Sequence, residues 1–268
     1  MPTPQYLTEF MNTLWSDYIQ ITPQAQKIHN LFAQAGEVVM NDHIALRTFK
    51  HPKLGIKSLA QHFIKYGYEE AGEYFFKEKK LYAKHYQHQD LSLPKIFISE
   101  LELEKMSPYV QETISGLVDQ IKPEAVQDEK FVFSGKHWVI SHGTYTKLAL
   151  ESGYASWVYA YGFRPNHFTV SINRLKLFSD ITRLNDFIKQ NNFNLNSSGG
   201  EIKGSPQNLL EQSSTMAAEI QVQFGDGVYS IPGCYYEFAK RYPMTNGQLY
   251  QGFIAKSADK IFESTNKI

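Results

Sequence analysis

The chain has little cysteine, no charge imbalance and no long apolar run, and each absence excludes a class of protein. Its one cysteine, Cys234, excludes an intrachain disulfide framework. Basic and acidic residues both number 27 and the pI is about 7.1, which favours neither nucleic acid nor an anionic membrane as partner. No apolar run approaches the roughly 20 residues that span a bilayer, and the N-terminus lacks a secretory pattern. The expectation is a cytoplasmic globular protein.

Two stretches of the sequence read alike. His43 lies in NDHIALRTF and His167 in PNHFTVSIN, and each stretch leads to a helical pattern that contains Phe-Ile-Lys. The phenylalanines of these patterns are Phe63 and Phe187, so the separation of 124 positions between the histidines recurs between them. Equal spacing of two landmarks indicates a duplicated module of one strand, a helix and further strands.

The duplication predicts an α+β fold in a single metal-binding domain, residues 1–268. We expect two N-terminal helices in 1–36, a first repeat in 37–125, a connecting segment in 126–165, a second repeat in 166–245 and a C-terminal extension in 246–268. The pattern also predicts a hairpin over 131–142 and strands near 216–224 and 229–239.

Residue alternation gives the first strand of each repeat an apolar face and a polar face, because neighbouring side chains on a strand point to opposite sides. The polar faces carry His43, Ala45 and Arg47 in the first strand, and His167, Thr169 and Ser171 in the second. One histidine on a strand is usually a satisfied core or edge residue. Two at equivalent repeat positions favour a shared metal site in a pocket.

A metal held by two histidines needs a carboxylate to complete the facial triad typical of non-haem Fe(II) oxygenases. The sequence offers Glu100, Glu219 and Glu237 on late strands of the repeats. Glu237 lies in an apolar context, and a buried carboxylate there requires a partner. Pairing with Lys240 or Arg241 explains that context as well as a metal does, so the pattern leaves the choice open.

Four motifs, NDHIALRTF, FISELEL, RPNHFTVSIN and YYEFAKRY, resemble the 2-oxoadipate dioxygenase/decarboxylase family of the vicinal-oxygen-chelate superfamily. The resemblance extends over about 22–242. It implies two modules that form one β-barrel-like, metal-binding pocket, with His43, His167 and Glu237 as metal ligands. It is the resemblance that selects Glu237 over Glu100. It also implies that Arg47 binds the substrate carboxylate and serves catalysis.

The implied cofactor is Fe(II), and the implied partners are a small 2-oxo acid and O₂. The expected reaction converts 2-oxoadipate and O₂ to 2-hydroxyglutarate and CO₂, a step of lysine catabolism. Two alternatives stay open: a metal-dependent isomerase or lyase of the same superfamily, and a module that binds a small acid without turnover. Tyr235 shares the strand face of Glu237, where a side chain either contacts substrate or packs in the core, and the prediction leaves it out of the site.

Overall fold

One curled sheet of eight strands organises the chain in the computed structural model, which describes residues 4–265. Residues 1–3 of the predicted N-terminal helical segment and 266–268 of the predicted C-terminal extension lie outside the described residues. The strand order is β2-β3-β4-β1-β5-β10-β7-β6, and a separate hairpin pairs β8 with β9. The strands are β1 (Asn41–Phe49), β2 (Tyr68–Phe76), β3 (Leu81–His88), β4 (Lys95–Leu101), β5 (Pro165–Ser171), β6 (Lys203–Ser205), β7 (Leu210–Ser214), β8 (Glu219–Phe224), β9 (Gly227–Pro232) and β10 (Glu237–Arg241).

The sheet consists of two halves with the same topology. In the first half β1 runs parallel to β4, followed by antiparallel β3 and β2. In the second half β5 runs parallel to β10, followed by antiparallel β7 and β6. The halves join through the antiparallel pair β1–β5. This arrangement confirms the predicted α+β fold with a repeated module, and the β8–β9 hairpin is an addition within the second repeat.

The helices that carry the fold are α1 (Pro4–Ile21), α2 (Pro23–Gln34), α3 (Ile56–Ile64), α4 (Pro108–Val118), α5 (Pro123–Gln127), α6 (His142–Glu151), α7 (Gly153–Tyr161), α8 (Ile181–Gln190) and α9 (Ala255–Ile261). Helices α1, α3 and α8 cover the outer face of the sheet. Phe168 of β5 shows how: its ring lies 5.1 Å from Trp15 and 5.0 Å from Tyr18 of α1. The apolar strand face inferred from the alternation therefore forms the core layer beneath the helices. None of the helices described in 4–265 combines the length and the apolar content needed to cross a bilayer.

Two local predictions are wrong. The hairpin expected over 131–142 is absent; a 3-10 turn occupies Glu129–Phe133, and α6 and α7 follow. The serines at their N-caps, Ser141 and Ser152, accept hydrogen bonds from the first turns, which favours helices over strands there. The strand expected over 229–239 is interrupted between β9 and β10, after Pro232, which has no N–H to donate to a ladder. Strand β7 was not predicted.

The C-terminal segment, residues 253–265, lies against the inner face of the curled sheet. Helix α9 contacts β2 and β6, the two edge strands, and thereby spans the open side of the half-barrel. The Tyr74 hydroxyl accepts a hydrogen bond of 3.2 Å from the backbone N–H of Phe253. The Ser264 and Ser214 hydroxyls lie 2.7 Å apart. The division of the chain at residues 36, 125, 165 and 245 stays a prediction.

Candidate metal centre

Strand pairing brings His43, His167 and Glu237 together on the inner face. His43 lies opposite Thr169 across the β1–β5 pair, and Ala45 lies opposite His167. On the other side of β5, Glu237 also lies opposite Thr169. Because alternate residues share a face, the two imidazoles and the carboxylate point into the same interior space.

The three side chains converge closely enough to hold one metal ion. The two Nε2 atoms lie 3.4 Å apart, Glu237 Oε1 lies 3.5 Å from His43 Nε2, and Glu237 Oε2 lies 3.2 Å from His167 Nε2. Ligands about 2.1 Å from a metal lie roughly 3.0 to 3.5 Å apart when their bonds make angles of about 90° to 110°. All three residues are buried. The donor set and the spacing therefore fit a divalent cation that keeps part of its coordination sphere open.

A hydrogen bond to the other ring nitrogen fixes the tautomer of each histidine. His43 Nδ1 lies 2.8 Å from the Asp42 carboxylate, and His167 Nδ1 lies 3.0 Å from the Asn166 amide oxygen. Both partners accept, so each Nδ1 carries the proton and each Nε2 presents a lone pair to the centre. The two Nε2 atoms and the Glu237 carboxyl oxygens then face one another, with the Thr169 hydroxyl 3.1 Å from His43 Nε2, and a cation fits among them.

Burial shapes the ionisation of the same groups. It lowers the pKa of His43 against the effect of Asp42, and it lowers the pKa of His167 well below its ordinary value, with His43 and Arg47 adding to the effect. It raises the pKa of Glu237 to about 8, opposed by the hydrogen bond of 2.6 Å from Gln212. The histidines are therefore neutral and ready to bind a cation at neutral pH.

The alternative cation partners of Glu237 are directed elsewhere. Arg241 forms two hydrogen bonds with the Asp42 carboxylate, of 2.6 Å and 2.8 Å, and Lys240 donates to the backbone oxygen of Ser179. Among the described residues, no lysine or arginine forms an ion pair with Glu237. The side chain is 1% exposed. A buried carboxylate without such a partner favours a metal as the missing positive charge.

The rival carboxylates lie outside this group. Glu100 pairs with Thr48 in the β1–β4 register and therefore points to the outer face, where it accepts a hydrogen bond of 2.9 Å from the Ile56 N–H at the start of α3. A cavity of about 880 Å³ on that face is lined in part by Glu100, away from the three converging residues. Glu219 is exposed on the β8–β9 hairpin.

Arg47 is buried, not a surface cation. Its side chain is 2% exposed, and its guanidinium carbon lies 5.0 Å from the rings of Tyr154 and Trp157 and 5.5 Å from that of Phe262. Its Nε has no hydrogen-bond partner among the described side chains, and none of the described carboxylates pairs with it. Arg47 is therefore not a surface cation.

The residues that orient the ligands were not predicted from the sequence. Asp42 and Asn166 precede the two histidines and are themselves 124 positions apart, so the repeat spacing contained the signal. Gln212 lies on β7, a strand that was not predicted. The segment between β9 and β10 was also missed. Four consecutive carbonyls there accept side-chain hydrogen bonds: Pro232 from Tyr161, Gly233 from Trp157, Cys234 from Gln24 and Tyr235 from Tyr18.

These bonds, of 2.5 to 2.9 Å, fix the backbone immediately before Glu237. Gly233 is required for the close approach, because a Cβ there would lie 2.2 Å from the backbone oxygen of Ile21. The ring of Tyr235 stacks on the His167 imidazole, with centroids 4.7 Å apart. On the other side of the centre, the Phe253 ring packs edge-on against His43 at 4.8 Å. The site is thus enclosed by residues from distant parts of the chain.

A buried His-His-Glu group inside a curled α+β half-barrel defines a candidate metal-site protein of the glyoxalase, or vicinal-oxygen-chelate, fold. A sequence model of the 2-oxoadipate dioxygenase/decarboxylase family matches residues 2–249. The chain therefore belongs to the 2-oxoadipate dioxygenase/decarboxylase family, a family of enzymes, as the sequence motifs predicted.

Individual relatives and solved structures are similar to the chain over most of its length. The chloroplastic 2-oxoadipate dioxygenase/decarboxylase of Arabidopsis thaliana is 38% identical over 84% of this chain and 67% of its own length. The crystal structure of the Oryza sativa hydroxyglutarate synthase in complex with 2-oxoadipate matches with a TM-score of 0.91 and 33% identity, covering 99% of this chain and 94% of that one. A Shewanella frigidimarina protein provisionally described as a hydrolase matches with a TM-score of 0.89 and 54% identity, covering 92% and 97%.

Proposed function

We propose that the chain is an Fe(II)-dependent dioxygenase that converts 2-oxoadipate and O₂ to 2-hydroxyglutarate and CO₂, with His43, His167 and Glu237 as metal ligands. The observation that carries the proposal is the convergence of two neutral Nε2 atoms and one buried carboxylate, within 3.2 to 3.5 Å of one another, with no ion pair between that carboxylate and a described lysine or arginine. Membership of the family and the relative that binds 2-oxoadipate support the choice of substrate.

The metal supplies the oxygen chemistry that amino-acid side chains lack. The residues of the chain bind the metal and the substrate and orient them. Asp42 and Asn166 hold the imidazoles in the tautomer that leaves Nε2 free. Arg47, a buried guanidinium without a carboxylate partner among the described residues, binds the distal carboxylate of the substrate. Phe253 and α9 exclude water from the inner face of the sheet.

The proposal is tested by loading the protein with Fe(II) under nitrogen and then measuring oxygen uptake with 2-oxo acids of different chain lengths. We expect one O₂ consumed, one CO₂ released and one 2-hydroxyglutarate formed for each 2-oxoadipate. Turnover without oxygen, supported by Zn²⁺ or Ni²⁺, would instead favour a metal-dependent isomerase or lyase. Tight binding of the acid without any product would favour a binding module. The place of the reaction in lysine catabolism is part of the same proposal.

A further inference from the structure

The hydroxyl group of Tyr235 is buried beside the candidate metal centre without an acceptor. The side chain is 0% exposed, and its O–H has no acceptor among the described residues, although Arg47 lies close enough to donate to its oxygen. Its ring stacks on His167 with centroids 4.7 Å apart and planes at 26°. A buried hydroxyl is usually hydrogen-bonded, so this one requires an explanation.

An unpartnered hydroxyl alone does not identify a binding site, as the neighbouring tyrosine shows. Tyr236 is equally buried and its Oη also lacks a partner within residues 4–265. Its ring, however, packs against Trp15 at 5.8 Å and Phe238 at 5.6 Å, in the apolar layer beneath α1. Tyr235 and Tyr236 therefore both have a buried hydroxyl group with an unpaired hydrogen, and they lie on opposite sides of one backbone segment.

A second unsatisfied donor distinguishes the surroundings of Tyr235. Arg47 has a buried Nε without a partner. The two side chains are close: Arg47 lies within hydrogen-bond reach of the Tyr235 oxygen, and Trp157, whose ring is 5.0 Å from the Arg47 guanidinium carbon, donates to the carbonyl of Gly233, two residues before Tyr235. A guanidinium has five donors and no acceptor. Two adjacent donors without a carboxylate acceptor among the described residues, one of them positively charged, fit an anionic oxygen supplied by a ligand.

We propose that the Tyr235 hydroxyl and the Arg47 guanidinium together bind the distal carboxylate of the 2-oxo diacid, which makes Tyr235 a specificity-determining residue. The inference rests on the proposed function and deepens it. A carboxylate has two oxygens, enough for the guanidinium and the phenol to donate simultaneously. The phenol O–H is a hydrogen-bond donor. The face of the Tyr235 ring packs against His167, a proposed metal ligand, while its hydroxyl group binds the distal carboxylate. The ring therefore sets the distance between that carboxylate and the metal.

The surrounding contacts hold Tyr235 in place before the substrate arrives. Tyr18 donates a hydrogen bond of 2.5 Å to the Tyr235 carbonyl, and Gln24 donates one of 2.8 Å to the preceding carbonyl of Cys234. A preorganised donor discriminates more strongly than a flexible one, because no ordering is required on binding. The effect of Tyr235 is therefore expected mainly on the choice between acids with and without a distal carboxylate.

The test compares Tyr235→Phe with Tyr236→Phe, the matched control that removes the same atom on the other side of the segment. Dissociation constants are measured by calorimetry on the Fe(II)-loaded protein without oxygen, for 2-oxoadipate and for 2-oxohexanoate, which has the same chain length and no distal carboxylate. We expect Tyr235→Phe to weaken 2-oxoadipate binding by about tenfold, as loss of a hydrogen bond to a charged group does. Binding of 2-oxohexanoate changes by less than about twofold, and Tyr236→Phe changes neither by more than that.

Equal weakening of both acids by Tyr235→Phe, or of neither, would overturn the inference, as would a wild-type protein that does not distinguish them. These binding results are independent of turnover. If the wild-type protein prefers 2-oxoadipate and forms 2-hydroxyglutarate while Tyr235→Phe keeps the full preference, the role of Tyr235 fails and the proposed function stands. If the preference depends on Tyr235 but no oxygen is consumed, the binding role stands and the oxygenase chemistry fails.

Discussion

The two halves of the sheet place a histidine at the same point of their first strand but differ on the strand beside it. Ala45 of β1 lies opposite Phe97, whereas Thr169, at the equivalent position of β5, lies opposite Glu237. The duplicated frame therefore provides four equivalent positions, of which three carry the proposed metal ligands and the fourth carries an apolar ring. The difference teaches how a symmetric frame would leave one side of a bound cation free for substrate.

A second difference concerns the residue before each histidine. Asp42 in the first repeat carries a charge, and Arg241 from the second repeat binds it through two hydrogen bonds. Asn166 holds His167 with a neutral amide. Burial alone would raise the pKa of Asp42, but Arg241 and His43 outweigh it and hold the pKa well below its usual range. The Asp42–Arg241 pair thus connects the two repeats directly behind the candidate site.

The largest expected effect comes from removing the carboxylate that makes the halves unequal. We expect Glu237→Gln to weaken Fe(II) binding by about 100-fold or more, since loss of a residue that merely orients a ligand already costs roughly 10- to 100-fold. The measurement is a metal titration of the metal-free protein. Because burial raises the pKa of Glu237 to about 8, the metal-free carboxyl carries little charge at neutral pH, and we expect the variant with its neutral amide to remain folded.

Glu100→Gln is the matched control for Glu237→Gln. It makes the same chemical change on the outer face, and its amide oxygen still accepts the hydrogen bond from the Ile56 N–H. We expect its metal affinity to equal that of the unmodified protein. Equal loss in both variants, or in neither, would contradict the assignment of Glu237 as a ligand.

Breaking the Asp42–Arg241 pair, which connects the two repeats, is expected to have the next largest effect. Asp42→Asn keeps an acceptor for His43 Nδ1 but leaves the buried Arg241 guanidinium without a negative partner. We expect the free energy of unfolding to fall by about 3 kcal/mol, as it does when one member of a buried ion pair is removed. Denaturant unfolding measures this. Asp180→Asn, at the exposed N-cap of α8, changes the same atom and is expected to alter stability by less than about 0.5 kcal/mol; a similar loss in both would refute the role of the pair.

The smallest effect concerns His85 of β3, at the position equivalent to Ser214 of β7. Burial, with Lys95 and Arg241, lowers the pKa of His85 to about 4. As the pH falls, His85 binds a proton in the unfolded chain, where its pKa is about 6.5, before it does so in the folded protein. The free energy of unfolding is therefore unaffected by this group above pH 6.5 and decreases as the pH falls from 6.5 toward 4.

His85→Gln removes that proton-binding group. We expect the metal-free variant to lose less stability than the unmodified protein between pH 6.5 and 4, by up to about 1.4 kcal/mol for each pH unit. Above pH 7 the difference between the two proteins is expected to be constant. Urea unfolding at several pH values measures both, and parallel curves over the acidic range would show that His85 does not titrate as described.

The sequence predicted the parts of the fold that depend on local pattern and on the repeat. The alternation around His43 and His167 correctly placed both on one face, because a strand has a strict period of two. The pattern could not select Glu237 over Glu100, since that choice depends on which strands are neighbours and on register, which fixes the face of every side chain. It also missed β7 and the interruption before β10, where hydrogen bonds from remote side chains replace a strand ladder. The metal roles of the three residues stay a prediction.

The run of four carbonyls before β10 links the candidate site to the beginning of the chain. Tyr18 and Gln24 belong to helices that contain none of the proposed ligands, yet their side chains fix the backbone on which Tyr235 and Glu237 stand. A shortened protein that starts after residue 36 would keep every proposed ligand in its sequence and lose two of the four donors that set their spacing. Engineering of this fold by truncation therefore has to treat the amino-terminal pair of helices as part of the catalytic scaffold.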